Sequence, residues 1–268
     1  MLQPTILERG KIHAGERGLQ LLAKQAVDSV EKGLIELLTN ADESYTRLEK
    51  NGEVVSGKIQ IFIERHTKTK PTAIEVVDYA EGMDGEEMKE CIAKYGEDTS
   101  RGGGRGVFGM GLKDTLIAFG EGDVISFKHG KKWVCKVSSN GDYEIKQPQR
   151  IAPADRNAFP NHSGGTTVRA FIKPGQFPIG RFETFKANLQ THVCLRTIMS
   201  DPNRTVLLRD KKTVDGEPLR YCAPEGELIR EETLGTADTG GGKAILKVFA
   251  AAGAEPLTQS GSCRTGAL

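Results

Sequence analysis

Gly102-Gly103-Gly104-Arg105-Gly106-Val107-Phe108-Gly109-Met110-Gly111-Leu112-Lys113 is the stretch on which the reading of this chain turns. Successive glycines expose backbone N–H groups, and the apolar run Leu112–Phe119 predicts a helix leaving the loop directly. Nested amides at a helix N-terminus form an anion cradle. Lys113 falls in the first helical turn, where a cation opposes the helix dipole, and an anion held in the loop would offset that. The 268 residues include 32 glycines, where average usage of about 7% gives roughly 19. Eight of them lie between Gly102 and Gly122. They show neither a collagen period nor a Gly/Ser low-complexity run, so the surplus belongs to local structure.

Upstream, residues 17–50 carry apolar residues at helical spacing: Leu34, Leu37, Leu38, Ala41, Tyr45 and Leu48. Asp28 followed by Glu31 resembles a capping box, so a long helix is expected to begin near Ser29. Within it lies Glu36-Leu37-Leu38-Thr39-Asn40-Ala41-Asp42-Glu43. Glu36 and Asn40, four apart, share one face. Strands follow at Ile59–Ile63 and Ile74–Asp78, the second running into Asp78-Tyr79-Ala80-Glu81-Gly82-Met83. A carboxylate ending a buried strand can accept a hydrogen bond from an exocyclic amine, and Gly82 leaves room for a flat ring. A short helix over 84–94 leads to the glycine-rich loop, 96–111.

Downstream, strands are expected at Asp123–Lys128, Lys132–Val137 and Tyr143–Ile145, with a tight turn at Asn140-Gly141. Thr166–Ile172 is a further strand and Phe182–Met199 a second long helix. Asp201-Pro202 places a domain boundary near residue 200, giving domains 1–200 and 201–268. The fold class is α+β, a helix layer on a mixed, mostly antiparallel sheet. The last expected strand, Ala244–Ala250, is followed by nothing that would cover it, so a longer protein is expected.

Thirty-seven basic against 36 acidic residues leave a net charge of +1, which gives no support to non-specific nucleic-acid binding. There is no 18-residue apolar run and no apolar leader near Met1, so neither a membrane nor a secretory role is expected, and the cytoplasm is the expected compartment. Five scattered cysteines without a Cys-x-x-Cys pair indicate neither zinc nor a disulfide framework.

The order, spacing and helix–strand–loop setting of these three motifs, with Gly164-Gly165-Thr166-Thr167-Val168 as a fourth, resemble the GHKL superfamily of ATP-binding proteins. Gyrase B, the heat-shock-ninety chaperones, histidine kinases and MutL belong to it. The resemblance covers roughly residues 17–172 and is strongest to the gyrase/MutL/microrchidia side. It implies the Bergerat α/β sandwich, ATP with Mg²⁺ as ligands, and slow hydrolysis with lid closure and dimerisation. By resemblance, Glu36 is the general base and Asn40 the Mg²⁺ ligand. Asp78 reads the adenine amino group with help from Thr166, and Gly82 and Met83 line the adenine pocket. Gly106, Gly109 and Gly111 give amides to the phosphates, Lys113 adds charge there, and Ser100 belongs to the lid, residues 96–108.

Two departures stand out: Ala80 replaces the family's usual first glycine of the second motif, and Glu43, preceded by Asp42, takes the supporting acidic position. Residues 200–268 resemble the start of a transducer-like domain whose γ-phosphate-sensing lysine would lie beyond Leu268. DNA or protein clients would then be reached through further C-terminal regions, with a homodimer forming around nucleotide. The alternatives are a protein-remodelling ATPase of the heat-shock-ninety type and a non-hydrolysing switch or kinase-like module. Thr239-Gly240-Gly241-Gly242-Lys243-Ala244 imitates a Walker loop but lacks its first glycine and its terminal Ser or Thr.

Overall fold

A computed structural model describes residues 6–11, 16–66, 69–93, 111–153, 155, 164–213, 215–223, 226–234 and 244–251. The chain falls into two compact units, one reaching Tyr221 and one beginning at Cys222.

The first unit is built on one sheet. In chain order its strands are β1 (Ile6–Lys11), β2 (Lys58–Glu64), β3 (Thr72–Asp78), β4 (Gly120–Lys128), β5 (Lys131–Ser138), β6 (Asp142–Lys146), β7 (Gln149–Arg150), β8 (Gly164–Ile172), β9 (Thr205–Arg209) and β10 (Glu217–Leu219). Across the sheet they run β1-β6-β5-β4-β8-β3-β2-β9-β10, with β7 beside β5. Among the described pairings all are antiparallel except β2 with β9. The helices are α1 (Glu16–Ala26), α2 (Val30–Lys50), α3 (Gly85–Ala93), α4 (Gly111–Phe119), α5 (Phe182–Thr191) and α6 (Arg196–Ser200).

Strand alternation explains the packing. Ile59, Ile61 and Ile63 of β2 and Ile74 and Val76 of β3 point to the same face, where they meet Leu34, Leu37, Leu38 and Ala41 of α2 in one buried cluster. Leu116, Ile117 and Phe119 of α4 join that core. The expected α+β architecture is therefore the one observed: helices cover a mixed, mostly antiparallel sheet.

Three details differ from the sequence reading. Ser29, not Asp28, caps α2: its hydroxyl accepts from the Lys32 amide at 3.2 Å, while Asp28 pairs with Lys32 Nζ at 3.1 Å. The helix expected over Phe182–Met199 is interrupted. His192 takes an extended conformation, its ring accepts from the Cys194 amide, and a 3₁₀ turn at Val193–Leu195 intervenes before α6. Finally, the boundary expected near residue 200 lies at 221/222. Thr205–Arg209 lie along Lys58–Phe62 as an integral strand of the first sheet, and β1 and β10 had not been foreseen. The second unit contributes one antiparallel pair, β11 (Gly226–Leu234) with β12 (Ala244–Ala251).

Among the described residues no helix is long and apolar enough to cross a membrane.

Candidate functional site

Helix α2 carries Glu36 and Asn40 on a half-buried flank, beside an apolar face that is fully enclosed. Glu36 lies against the first residue of α4, and a Cβ on Gly111 would run into the Glu36 carboxylate. Any larger residue there would displace the Glu36 carboxylate from the start of α4. Burial raises the Glu36 pKa above its ordinary 4.5, with Asp114 and Glu43 adding to the rise and Lys32 opposing it. A carboxylate so disposed is a better proton acceptor near neutrality than an exposed one.

Asp78 closes β3 and is 7% exposed. Its Oδ1 accepts from the Ala80 amide at 3.0 Å. Burial pushes its carboxyl up to about 7, against the pull of the Ala80 and Thr166 amides. Opposite it in the ladder stands Thr166 of β8. The Thr166 hydroxyl meets Ser126 Oγ at 3.0 Å, and Ser126 Oγ also accepts from the Met83 amide at 2.6 Å and donates to the Gly165 carbonyl at 3.1 Å. Asp78, Met83, Ser126 and Thr166 therefore belong to one buried polar cluster where three strands end. Gly82 has φ +69°, and a Cβ there would strike the Phe127 carbonyl. The backbone conformation and the neighbouring strand demand this glycine, beyond any need for space beside a ring.

Two side-chain links join the flank of α2 to this cluster. Arg47 pairs with Glu81 at 2.5 Å, and the Tyr45 hydroxyl accepts from the Tyr79 amide at 2.9 Å. The expected site residues Glu36, Asn40 and Gly111 thus form one group and Asp78, Gly82, Met83 and Thr166 another, with α2 connecting them. Lys113 is fully enclosed (0% exposed), next to the buried Asp114. A buried ammonium needs close compensation, and the first turn of α4 also holds the buried Asp114. Ser100, Gly106 and Gly109 lie outside the described residues, as does the rest of the expected lid.

Ser126, Tyr45 and Arg47 were not foreseen in the site. Ser126 is a polar residue on the buried, otherwise apolar side of β4, a signal that was there to be read. Tyr45 was absorbed into the apolar stripe of α2.

A search of solved structures finds the B-subunit of the DNA gyrase from Myxococcus xanthus, at a TM-score of 0.51 and 14% identity, over 77% of this chain and 56% of that chain. The shared feature is the fold. The two chains have in common an α+β arrangement with a mixed, mostly antiparallel sheet and helices packed on it. This chain spans little more than half of the gyrase subunit it matches. No protein-family model matches the sequence, and no curated protein matches it.

Proposed function

We propose that this chain is a GHKL-type module that binds ATP with Mg²⁺ and hydrolyses it slowly, lid closure and dimerisation coupling turnover to a larger machine. The observation that carries the reading is Asp78: a carboxylate buried at a strand end, hydrogen-bonded to its own turn, and linked through Tyr45 and Arg47 to the helix bearing Glu36 and Asn40. A buried acceptor of this kind suits the exocyclic amine of adenine, and Thr166 lies beside it.

The donor set also fits the metal. Among the described residues no three His, Cys, Asp or Glu side chains converge on one point. Mg²⁺ commonly arrives with nucleotide, taking most ligands from phosphate and water, and the Asn40 carboxamide is the single protein oxygen such a site needs. Bound there, it would supply charge neutralisation at the phosphates. Glu36 would orient and deprotonate the attacking water, its raised pKa matching that task. Gly111 would offer its amide to the phosphates together with Gly106 and Gly109, with Ser100 contributing from the lid and Lys113 adding charge at the start of α4. Gly82 and Met83 would wall the base.

The presence of Glu36 favours hydrolysis over a non-hydrolysing switch or kinase-like role. The fold likeness to a DNA gyrase subunit makes DNA the first client to test, with a protein client of the heat-shock-ninety kind as the second reading. A soluble, cytoplasmic setting goes with either.

Calorimetric ATP binding and turnover should be measured for the wild type and for the Glu36→Ala and Asp78→Asn variants. Glu36→Ala is expected to keep its affinity within a few-fold and lose turnover by about 100-fold or more. Asp78→Asn is expected to lose binding. Normal turnover by Glu36→Ala would remove the catalytic assignment.

A further inference from the structure

Tyr45 lies in α2, wholly enclosed, with its hydroxyl between two strands. It donates to the Lys58 carbonyl at 2.6 Å and accepts from the Tyr79 amide at 2.9 Å. In the β2–β3 ladder Ile59 stands opposite Asp78, so Lys58 and Tyr79 are the residues of the next rung. The phenol hydroxyl bridges that rung, donating to its carbonyl and accepting from its amide. The strands part at this point, Asp78 becomes the last paired residue of β3, and the chain turns through Tyr79, Ala80 and Glu81 toward Gly82.

The phenol is held from behind. The Arg204 guanidinium stacks 5.3 Å from the Tyr45 ring centroid and is fixed by Asp42 at 2.7 Å and by Glu49 at 2.5 and 2.9 Å, all on α2. Burial pushes the Tyr45 hydroxyl up to about 12, so it keeps its proton and remains a donor over the whole working pH range.

We propose that Tyr45 is a positioning residue that selects adenine nucleotides: by wedging open the rung beyond Asp78, it sets where the base-reading turn begins relative to the helix that bears Glu36 and Asn40. The inference rests on the nucleotide-binding reading above. A phenylalanine would fill nearly the same space, but it would supply neither the donor nor the acceptor. Lys58 and Tyr79 could then close their rung directly, drawing the turn inward and moving the Asp78 carboxylate.

The test compares wild type and Tyr45→Phe in calorimetric titrations with ADP and GDP. Wild type is expected to prefer ADP strongly. Tyr45→Phe is expected to lose about tenfold in ADP affinity and most of the preference over GDP. Lower stability alone would reduce the fraction of protein that binds and leave the ADP/GDP ratio untouched. An unchanged ratio and affinity in Tyr45→Phe would overturn the proposal while leaving the nucleotide reading intact, whereas a wild type that binds neither nucleotide would overturn both. A second measurement covers a variant that fails to fold. Amide hydrogen exchange in the wild type should show Tyr79 N–H protected although it lies beyond the strand, and exchange at the unprotected rate would equally overturn the wedge.

Discussion

Asp78 keeps its proton up to about pH 7 in the folded chain, while the same group in the unfolded chain releases it near 3.8. Between these values the folded state holds the extra proton, so stability falls as pH rises through the window. Below 3.8 the effect vanishes, and above 7 it is complete, at about 4 kcal/mol if fully expressed. Chemical denaturation of the nucleotide-free protein between pH 4 and 8 should show this decline, and Asp78→Asn should flatten it. Nucleotide binding should run the other way. The carboxylate accepts from an adenine amine more strongly than the neutral acid does, so ADP affinity should fall as pH drops below 7. Titrations at pH 6, 7 and 8 check the second sign, and an affinity constant over that range would rule out a titrating Asp78 in the site. Asp78 was legible in the sequence because a carboxylate that ends an apolar strand is conspicuous. The double role of Tyr45 was not. Its ring fits the helical stripe, and its hydrogen-bond partners lie 13 and 34 residues away, set by a strand register that no local pattern encodes.

Helix α2 gathers most of the site, and its supports can be probed separately. Ser29→Ala removes the cap hydrogen bond to Lys32 and should cost about 1 kcal/mol in thermal or urea unfolding. Asp28→Ala, which loses only an exposed ion pair, should cost a few tenths of that. Gly33 sets two effects against each other. Alanine would gain about 1 kcal/mol of helix propensity, yet its Cβ would meet the Phe119 ring, which is enclosed and stacked edge-on to Phe177 at 5.5 Å. Overpacking of about 1–3 kcal/mol should win, making Gly33→Ala a net loss. On the other flank, the Arg204 side chain is 2% exposed and the Asp42 side chain 8% exposed. Arg204→Met should cost about 3–5 kcal/mol because it removes the buried guanidinium that pairs with Asp42 and Glu49. Combining it with Asp42→Asn should recover part of the loss, and strict additivity of the two would deny the buried pair. The capping position of this helix was read one residue early from Asp28 and Glu31. The competing signal was Ser29 itself, whose hydroxyl is short enough to reach the amide three residues ahead.

The largest misreading concerned the extent of the first unit. Asp201-Pro202 has linker composition, but it forms a turn that delivers Arg204 to α2 and Thr205 to the Gly57 carbonyl at 3.0 Å. Parallel pairing of β9 on β2 then carries the sheet onward. Such pairing joins segments far apart in sequence and leaves no local trace, unlike the helix–strand–loop motif order that disclosed the α+β fold. A chain cut after Tyr221 should therefore unfold cooperatively, with the same midpoint as the first unit of the intact chain. One cut at residue 200 loses Arg204, β9 and β10, and should be strongly destabilised or insoluble. Circular-dichroism melts of the two truncations decide between boundaries, and equal stability would restore the one near 200.

The β2–β9 pairing also has a consequence in time. Roughly 150 residues separate the partners, and a ribosome adding about 5–20 residues per second needs roughly 7–30 s to supply the second after the first. Throughout that interval the nascent chain carries Ile59, Ile61 and Ile63 on a strand with one side unpaired, a template for illegitimate pairing with other chains. Slow translation or high expression should thus raise the yield of aggregated protein, and an engineered circular permutant that begins with β9 would bring the two strands off the ribosome close together.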